Sequence, residues 1–307
     1  MKIFSLKNLP LPFETAVTIG AFDGIHLGHK ALIQETIKVA QNLGIKPTLL
    51  TFHPHPRLVL QPHLHMKLLT TLEEKIELIK KEGIENLVIL PFTKTLAELS
   101  PELFVEKYLV DLLKTQAIIV GFNFQFGRGR SGNIDLLNKL GEKYGFSLKV
   151  LSPIKIEDKT VSSTLIRELL QKGEVAKASI YLGRPYTLRG TVIKGKGRGK
   201  LLGFPTANLY VPEEKLIPAQ GVYAVWAFLN GTKYQGALNI GFNPTFDEKN
   251  LSIEVHLLNY NSNQELYNKR IELHFVERIR AEKKFTSVEE LKAQIQKDCL
   301  LIKNILS

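Results

Sequence analysis

Ala16-Val17-Thr18-Ile19-Gly20-Ala21-Phe22-Asp23-Gly24-Ile25-His26-Leu27-Gly28-His29 is the segment whose reading decides the fold of the first half of the chain. Ala16 to Ile19 is an apolar, β-branched run that reads as a buried strand. Beyond His29, Ile33, Ile37 and Ala40 share one face at helical spacing. A strand that runs straight into a helix through a glycine-rich turn gathers open backbone N–H groups and the positive end of a helix dipole at one point, an arrangement suited to phosphate. His26 and His29 lie three residues apart there, so both imidazoles can face one anion and donate to phosphoryl oxygens as charge builds on them. One histidine would read as an ordinary turn residue; two, with three glycines, favour phosphate. With no cysteine and no spaced carboxylate nearby, zinc is disfavoured.

Outward from this segment, Thr48–Phe52, Leu87–Pro91, Ala117–Gly121 and Leu148–Leu151 read as further buried strands. Thr71 with Glu74 forms a capping box, and Ser100-Pro101 an N-cap followed by proline at the first helical position. Strand and helix in alternation predict a parallel sheet covered on both faces. The period changes after Arg184-Pro185. Val222–Leu229 and Lys233–Ile240 flank Asn230-Gly231, a strong hairpin signal; Ser252–Leu258 and Arg270–Val276 continue as strands, and Ser287–Ile305 reads as a closing helix. An antiparallel barrel with a terminal helix buries such a series most simply. The expected domains are 1–184 and 185–307.

The chain has 307 residues, 44% of them hydrophobic and 23% charged; at roughly 150 residues per domain this fits two cores. No apolar run approaches the roughly 20 residues of a membrane span, and Met1 to Phe13 carries no secretory core. Cys299 is the one cysteine, so no disulfide can form within the chain, and it reads as a small residue of the last helix. These features lead to the expectation of a cytoplasmic protein, monomeric or weakly homo-oligomeric, with no membrane partner. The net charge of +11 suits nucleic acid, an anionic membrane or phosphorylated small molecules, and does not choose among them.

Two further stretches narrow the choice. Ser162-Ser163-Thr164-Leu165-Ile166-Arg167 is a hydroxyl-rich helix start with an arginine one turn in, which suits a pyrophosphate leaving group. Lys194-Gly195-Lys196-Gly197-Arg198-Gly199-Lys200 reads as a flexible basic loop. Binders of single-stranded nucleic acid stack bases on aromatic side chains; this run has none, and its glycines let amides close around phosphates. Nucleotide is favoured over nucleic acid.

The Gly20–His29 string resembles the HxGH element of nucleotidyltransferases, and in its longer form that of the bacterial bifunctional riboflavin kinase/FAD synthetases. Thr51-Phe52-His53-Pro54-His55-Pro56-Arg57, Gly121-Phe122-Asn123-Phe124-Gln125-Phe126-Gly127 and Ser162–Arg167 resemble further motifs of that family. So do Pro205-Thr206-Ala207-Asn208, Gly221–Val225, Asn239–Phe246, Ile253–Leu258 and Arg280–Phe285. Together they cover nearly the whole chain in the family's order. The resemblance implies an α/β nucleotidyltransferase domain with a Rossmann-like parallel sheet, then an antiparallel β-barrel riboflavin kinase domain with a C-terminal helix. It implies phosphorylation of riboflavin by ATP to FMN, then adenylylation of FMN by a second ATP to FAD, with release of pyrophosphate. Gly20, Phe22, Asp23, Gly24, Asn123, Ser162, Ser163, Thr164 and Arg167 would bind ATP for adenylylation beside His26 and His29. Gly195, Lys200, Gly203, Pro205, Thr206 and Asn208 would bind ATP for the kinase, with Thr206 and Asn208 holding Mg²⁺ through hard oxygen donors. Glu254 would be the kinase base, a carboxylate among apolar neighbours, and Phe52, His55, Pro56 and Arg280 would touch flavin. Asn123 and Asn259 stand where the family often has aspartate. Two other readings remain: a nucleotidyltransferase for another cofactor precursor with an inactive barrel, and an RNA-binding protein on a nucleotide-binding fold.

Overall fold

A computed structural model describes residues 1–195, 197–242, 251–260 and 266–307, with Arg198, Lys200 and Phe242 described by their backbone alone. Lys196 and the Asn243–Phe246 part of the Asn239–Phe246 motif lie outside the described residues. The chain divides into two compact units, Met1–Ser163 and Thr164–Ser307.

The first unit is built on β1 (Lys2–Phe4), β2 (Thr15–Ile19), β3 (Lys46–His53), β4 (Asn86–Pro91), β5 (Thr115–Gly121) and β6 (Ser147–Leu151). They form one parallel sheet in the order β1-β4-β3-β2-β5-β6. Its helices are α1 (Leu27–Leu43), α2 (Pro56–Leu60), α3 (Leu72–Lys81), α4 (Lys94–Ala97), α5 (Pro101–Phe104), which runs on into a π-helical stretch over Val105–Leu112, and α6 (Ile134–Tyr144). Strand alternation sends Val17, Ile19, Leu50, Val88, Ile118 and Val120 to one face, against Val105, Leu109 and Leu137. Leu49 and Leu87 go to the other face, against Ile33 of α1 and Ile79 of α3. Both faces are dry, which is why these strands read as continuous apolar runs. A small antiparallel hairpin, β7 (Lys155–Ile156) and β8 (Lys159–Thr160), precedes α7 (Ser163–Gln171).

The second unit adds α8 (Val175–Leu182), α9 (Arg198–Leu201) and α10 (Val288–Ile305) to the strands β9 (Thr187–Ile193), β10 (Ala207–Tyr210), β11 (Gly221–Leu229), β12 (Thr232–Phe242), β13 (Leu251–Leu257) and β14 (Arg270–Arg280). They close as a barrel in the order β10-β13-β12-β11-β14-β9, antiparallel throughout. Tyr223, Val225, Leu238, Val255 and Phe275 are fully buried. Val222, Ala224 and Trp226, on the opposite face of β11, pack with Cys299 and Ile302 of α10. Asn230 (φ 49°) and Gly231 (φ 81°) make the expected left-handed hairpin turn. The basic segment departs from the expectation of a loop throughout: Arg198–Leu201 forms a short helix, closed by Leu202 N and Phe204 N bonding the Gly199 carbonyl at 3.2 and 2.8 Å.

Candidate active sites

In the first unit β2 pairs with β3 on one side and with β5 on the other, so the chain's direction of travel across the sheet reverses at β2. Open α/β sheets bind ligands outside the carboxyl ends of the strands at such a reversal. The Gly20–His29 turn leaves the end of β2, and Asn123 lies exposed just beyond the end of β5.

The turn is an unusual piece of backbone. Gly24 has φ of 89°, open to glycine, but Phe22 and Ile25 have φ of 50° and 39°, conformations held only where surroundings enforce them. Those surroundings come from distant elements. The Ala21 carbonyl accepts from Lys75 Nζ at 2.8 Å and Thr51 Oγ1 at 3.2 Å. The Asp23 carboxylate accepts from Leu69 N at 3.1 Å, Thr70 N at 3.0 Å and Thr70 Oγ1 at 3.1 Å, and the Asp23 carbonyl from Ser163 Oγ at 2.8 Å. Gly24 N donates to Thr70 Oγ1 at 3.1 Å. The His26 and His29 rings stack with centroids 3.6 Å apart. His26 caps α1: its Nδ1 accepts from His29 N at 3.3 Å, which puts the ring proton on Nε2 as a donor. Gly28 makes room for this cap, since a Cβ there would stand 3.2 Å from the His26 ring.

In the second unit, Asn208 of β10 and Asn239 of β12 both stand opposite Glu254 of β13. Directly opposed residues share a face, so the three polar side chains form a row across the barrel wall. Glu254 Oε2 accepts from Thr206 Oγ1 at 3.1 Å, and Oε1 from Ser252 Oγ at 2.8 Å. This corrects the expectation of a carboxylate among apolar groups: Ile253 and Val255 turn to the core, leaving Glu254 at a polar corner. The His256 ring holds the Pro205 carbonyl from Nδ1 at 2.7 Å; a carbonyl only accepts, so Nδ1 carries the proton. A Cβ on Gly195 would fall 2.1 Å from Asn208 Nδ2, and one on Gly199 2.4 Å from the Phe204 carbonyl and 3.1 Å from Thr206 Oγ1. The backbones of Gly195 and Gly199 therefore lie directly against Asn208 at the start of β10 and Thr206 just before it.

A family model described as FAD synthetase matches residues 10–165, and one described as riboflavin kinase matches residues 182–306. A bifunctional riboflavin kinase/FMN adenylyltransferase of Bacillus subtilis is 40% identical over 290 residues, covering 93% of this chain and 90% of the relative. That of Escherichia coli K12 is 34% identical over 283 residues, covering 92% and 90%. The chain belongs to the bifunctional riboflavin kinase/FMN adenylyltransferase family. It is an enzyme of flavin-cofactor formation that acts on riboflavin and FMN with ATP. A crystal structure described as a macrolide-efflux protein from Streptococcus pneumoniae has the same fold, with a TM-score of 0.90 at 30% identity over 98% of this chain and 99% of that one. Among the described residues no helix is long and apolar enough to cross a membrane.

Within this family frame the remaining expected residues take definite places. Phe22 turns its ring into the core beside Ile25 and Ile33, with His29 at 5.0 Å, so only its main chain faces away from the core. Ser162 precedes α7, Ser163 and Thr164 open it, and Arg167 follows one turn in. Phe52 stands at the end of β3, edge-on to Phe92 at 5.6 Å. His55 caps α2, its Nδ1 accepting from Arg57 N at 3.1 Å, with Pro56 at the first helical position. Arg280 belongs to the other unit, where its guanidinium meets the buried Asp298 carboxylate of α10 at 2.8 Å. Phe52, His55 and Pro56 therefore lie in the first unit and Arg280 in the second. Gly203 (φ 87°) and Pro205 shape the bend that leads into β10. Thr51, Asn239 and Ser252 open stretches quoted from sequence without being named as site residues, and Lys75 and Thr70 are new; all but Ser252, which shares β13 with Glu254, reach their site from another element.

Proposed function

We propose that the barrel transfers the γ-phosphoryl group of ATP to the riboflavin 5′-hydroxyl, with Glu254 taking the hydroxyl proton. The observation that carries this reading is the convergence of Thr206, Asn208 and Glu254 on one corner of the barrel, with the backbones of Gly195 and Gly199 close against Asn208 and Thr206. The two hydroxyl donors orient the carboxylate, and a base must be fixed within hydrogen-bonding reach before its proton affinity matters. Among the described residues no cluster of three His, Cys, Asp or Glu is placed to hold a metal. A hydroxyl and an amide oxygen instead fit Mg²⁺, whose remaining ligands are phosphate and water; Thr206 and Asn208 would hold it. Bound there, the ion would offset the charge of the ATP phosphates.

The first unit carries the second step, in-line attack of the FMN phosphate on the α-phosphorus of ATP with pyrophosphate leaving. No covalent enzyme intermediate is needed; positioning and charge stabilisation suffice. The turn's N–H groups and the His26–His29 pair stabilise the α-phosphoryl charge, while the hydroxyls of Ser162 and Ser163 receive the departing pyrophosphate. We place the protein in the cytoplasm as a monomer or weak homo-oligomer, with no nucleic acid or membrane partner. The test is chromatography of riboflavin incubated with ATP, Mg²⁺ and the protein: FMN and then FAD are expected. His29→Ala should lower FAD formation from supplied FMN about 100- to 1,000-fold and leave FMN formation intact. Loss of both activities in folded protein would refute the two-site assignment.

A further inference from the structure

Lys75 is 4% exposed, and the charged site residues named above do not include it. It sits in the first turn of α3, where a cation opposes the helix dipole, and burying an ammonium costs several kcal/mol unless it is matched. A leucine or methionine would fill the same volume without that cost. The ammonium is held under the phosphate turn, donating to the Ala21 carbonyl at 2.8 Å. The same carbonyl accepts from Thr51 Oγ1, which is fully buried. Burial pushes the lysine below its ordinary proton affinity, and the Asp23 carboxylate acts against that shift. Asp23, 2% exposed, in turn pins the backbone of Leu69 and Thr70. The left-handed residues Phe22, Gly24 and Ile25 thus lie in a segment whose main chain is fastened at Ala21 by a cation and at Asp23 by an anion. Neither group is spent on a surface role.

We propose that Lys75 is a positioning residue for adenylyl transfer: its buried ammonium fixes Ala21 and balances Asp23, so that the opposite side of the turn holds its N–H groups and the His26–His29 pair in register with the phosphates of ATP. The inference rests on reading this turn as the phosphate site. Lys75 does not touch the nucleotide; it acts through the backbone of the turn.

The experiment compares full-length Lys75→Met, which keeps the volume and removes the charge, with Lys75→Arg, which restores a cation. FAD formation from FMN and FMN formation from riboflavin are measured on the same preparations, well below the unfolding midpoint of each variant. A displacement of about 1 Å at a reacting centre can cost about 100-fold. K75M is therefore expected to lower kcat for adenylylation roughly 10- to 100-fold, with riboflavin phosphorylation within about twofold of the parent, and K75R to recover part of the loss. A space-filling role for the side chain would move the unfolding midpoint and leave kcat unchanged. Wild-type kcat in folded K75M, or K75R no better than K75M, overturns the proposal. Should K75M fail to fold, Thr51→Val removes the other donor to Ala21 without changing shape. A several-fold fall in adenylylation then supports the proposal, and an unchanged kcat overturns it. His29→Ala, run in parallel, separates the two failures. If it too leaves adenylylation intact, the turn is not the phosphate site; if it abolishes adenylylation while K75M does not, only the role of Lys75 falls.

Discussion

At Glu254 the hydroxyls of Thr206 and Ser252 each donate to a different oxygen of one carboxylate. Glu254→Gln keeps shape and polarity and removes the proton acceptor, so riboflavin phosphorylation should fall about 100- to 10,000-fold. FAD formation in the same protein, assayed from supplied FMN, should persist; equal loss of both would count against the base. Gly24 provides a second test. Its φ is +89°, and an added Cβ would lie 2.7 Å from Leu69 Cδ1, so Gly24→Ala must strain the turn or shift Leu69. A loss of roughly 1–3 kcal/mol in stability, together with slowed adenylylation, is expected, and calorimetry with the FMN-start assay measures both. The turn is visible in sequence because its residues are contiguous: three glycines and two histidines stand within ten positions, and the structure places them in one bend, with left-handed residues, that runs from β2 into the first turn of α1. The clamp behind it is not. Lys75 stands 54 residues from Ala21, and Thr70 stands 47 from Asp23. In sequence Lys75 looks like any lysine on an amphipathic helix; only the packing of α3 against the turn gives it a partner.

Among the elements, the signals that held were those with a local physical cause. Thr71 and Glu74 form the reciprocal capping box at α3, Ser100 caps α5, and the closing helix expected over Ser287–Ile305 is α10. β1 went unread because Lys2–Phe4 is too short to show a period and is defined by its pairing with β4. One pair of strands also carries a pH-dependent contribution. Glu272 of β14 stands opposite Arg189 of β9, with His274 on the same face; its carboxylate meets Arg189 Nε and His274 Nε2, each at 2.5 Å. The His274 hydrogen bond first, and the Arg189 charge and hydrogen bond after it, hold its pKa at about 2 against burial. Because the folded value lies below the ordinary carboxylate value, the contribution is present above about pH 4.5 and is lost as pH falls toward 2. Glu272→Gln should therefore lose roughly 2 kcal/mol at neutral pH. Its midpoint curve should converge on that of the parent in acid; parallel curves would reject the assignment.

For the molecule as a whole, the change of period near Pro185 showed that two differently built cores share one chain. What sequence did not show is the company kept by α7 and α8. Both group with the barrel: Ala178, Tyr181 and Leu182 are buried, Ala219 N bonds the Leu170 carbonyl at 2.9 Å, and Arg278 reaches the Lys172 carbonyl at 3.3 Å. A fragment of residues 164–307 should fold and convert riboflavin to FMN without making FAD. One of residues 185–307 should do the same with a lower melting temperature; a fragment without kinase activity would reject the barrel as an independent site. The closure of that barrel has a separate consequence, for solubility. A strand paired on both sides offers no row of open N–H and C=O groups to another chain, whereas an outermost strand does, and such edges template aggregation. Every strand of the barrel is paired on both sides, so the open edges are those of the parallel sheet and of the two-residue strands β7 and β8, which are too short to serve as a template. In the parallel sheet β1 is only three residues long, and β6 carries Lys149, ion-paired to Glu35 at 2.6 Å, beside the 39%-exposed Val150. That lysine is a gatekeeper: Lys149→Val should raise light scattering of the concentrated full chain, and the 164–307 fragment should stay clear.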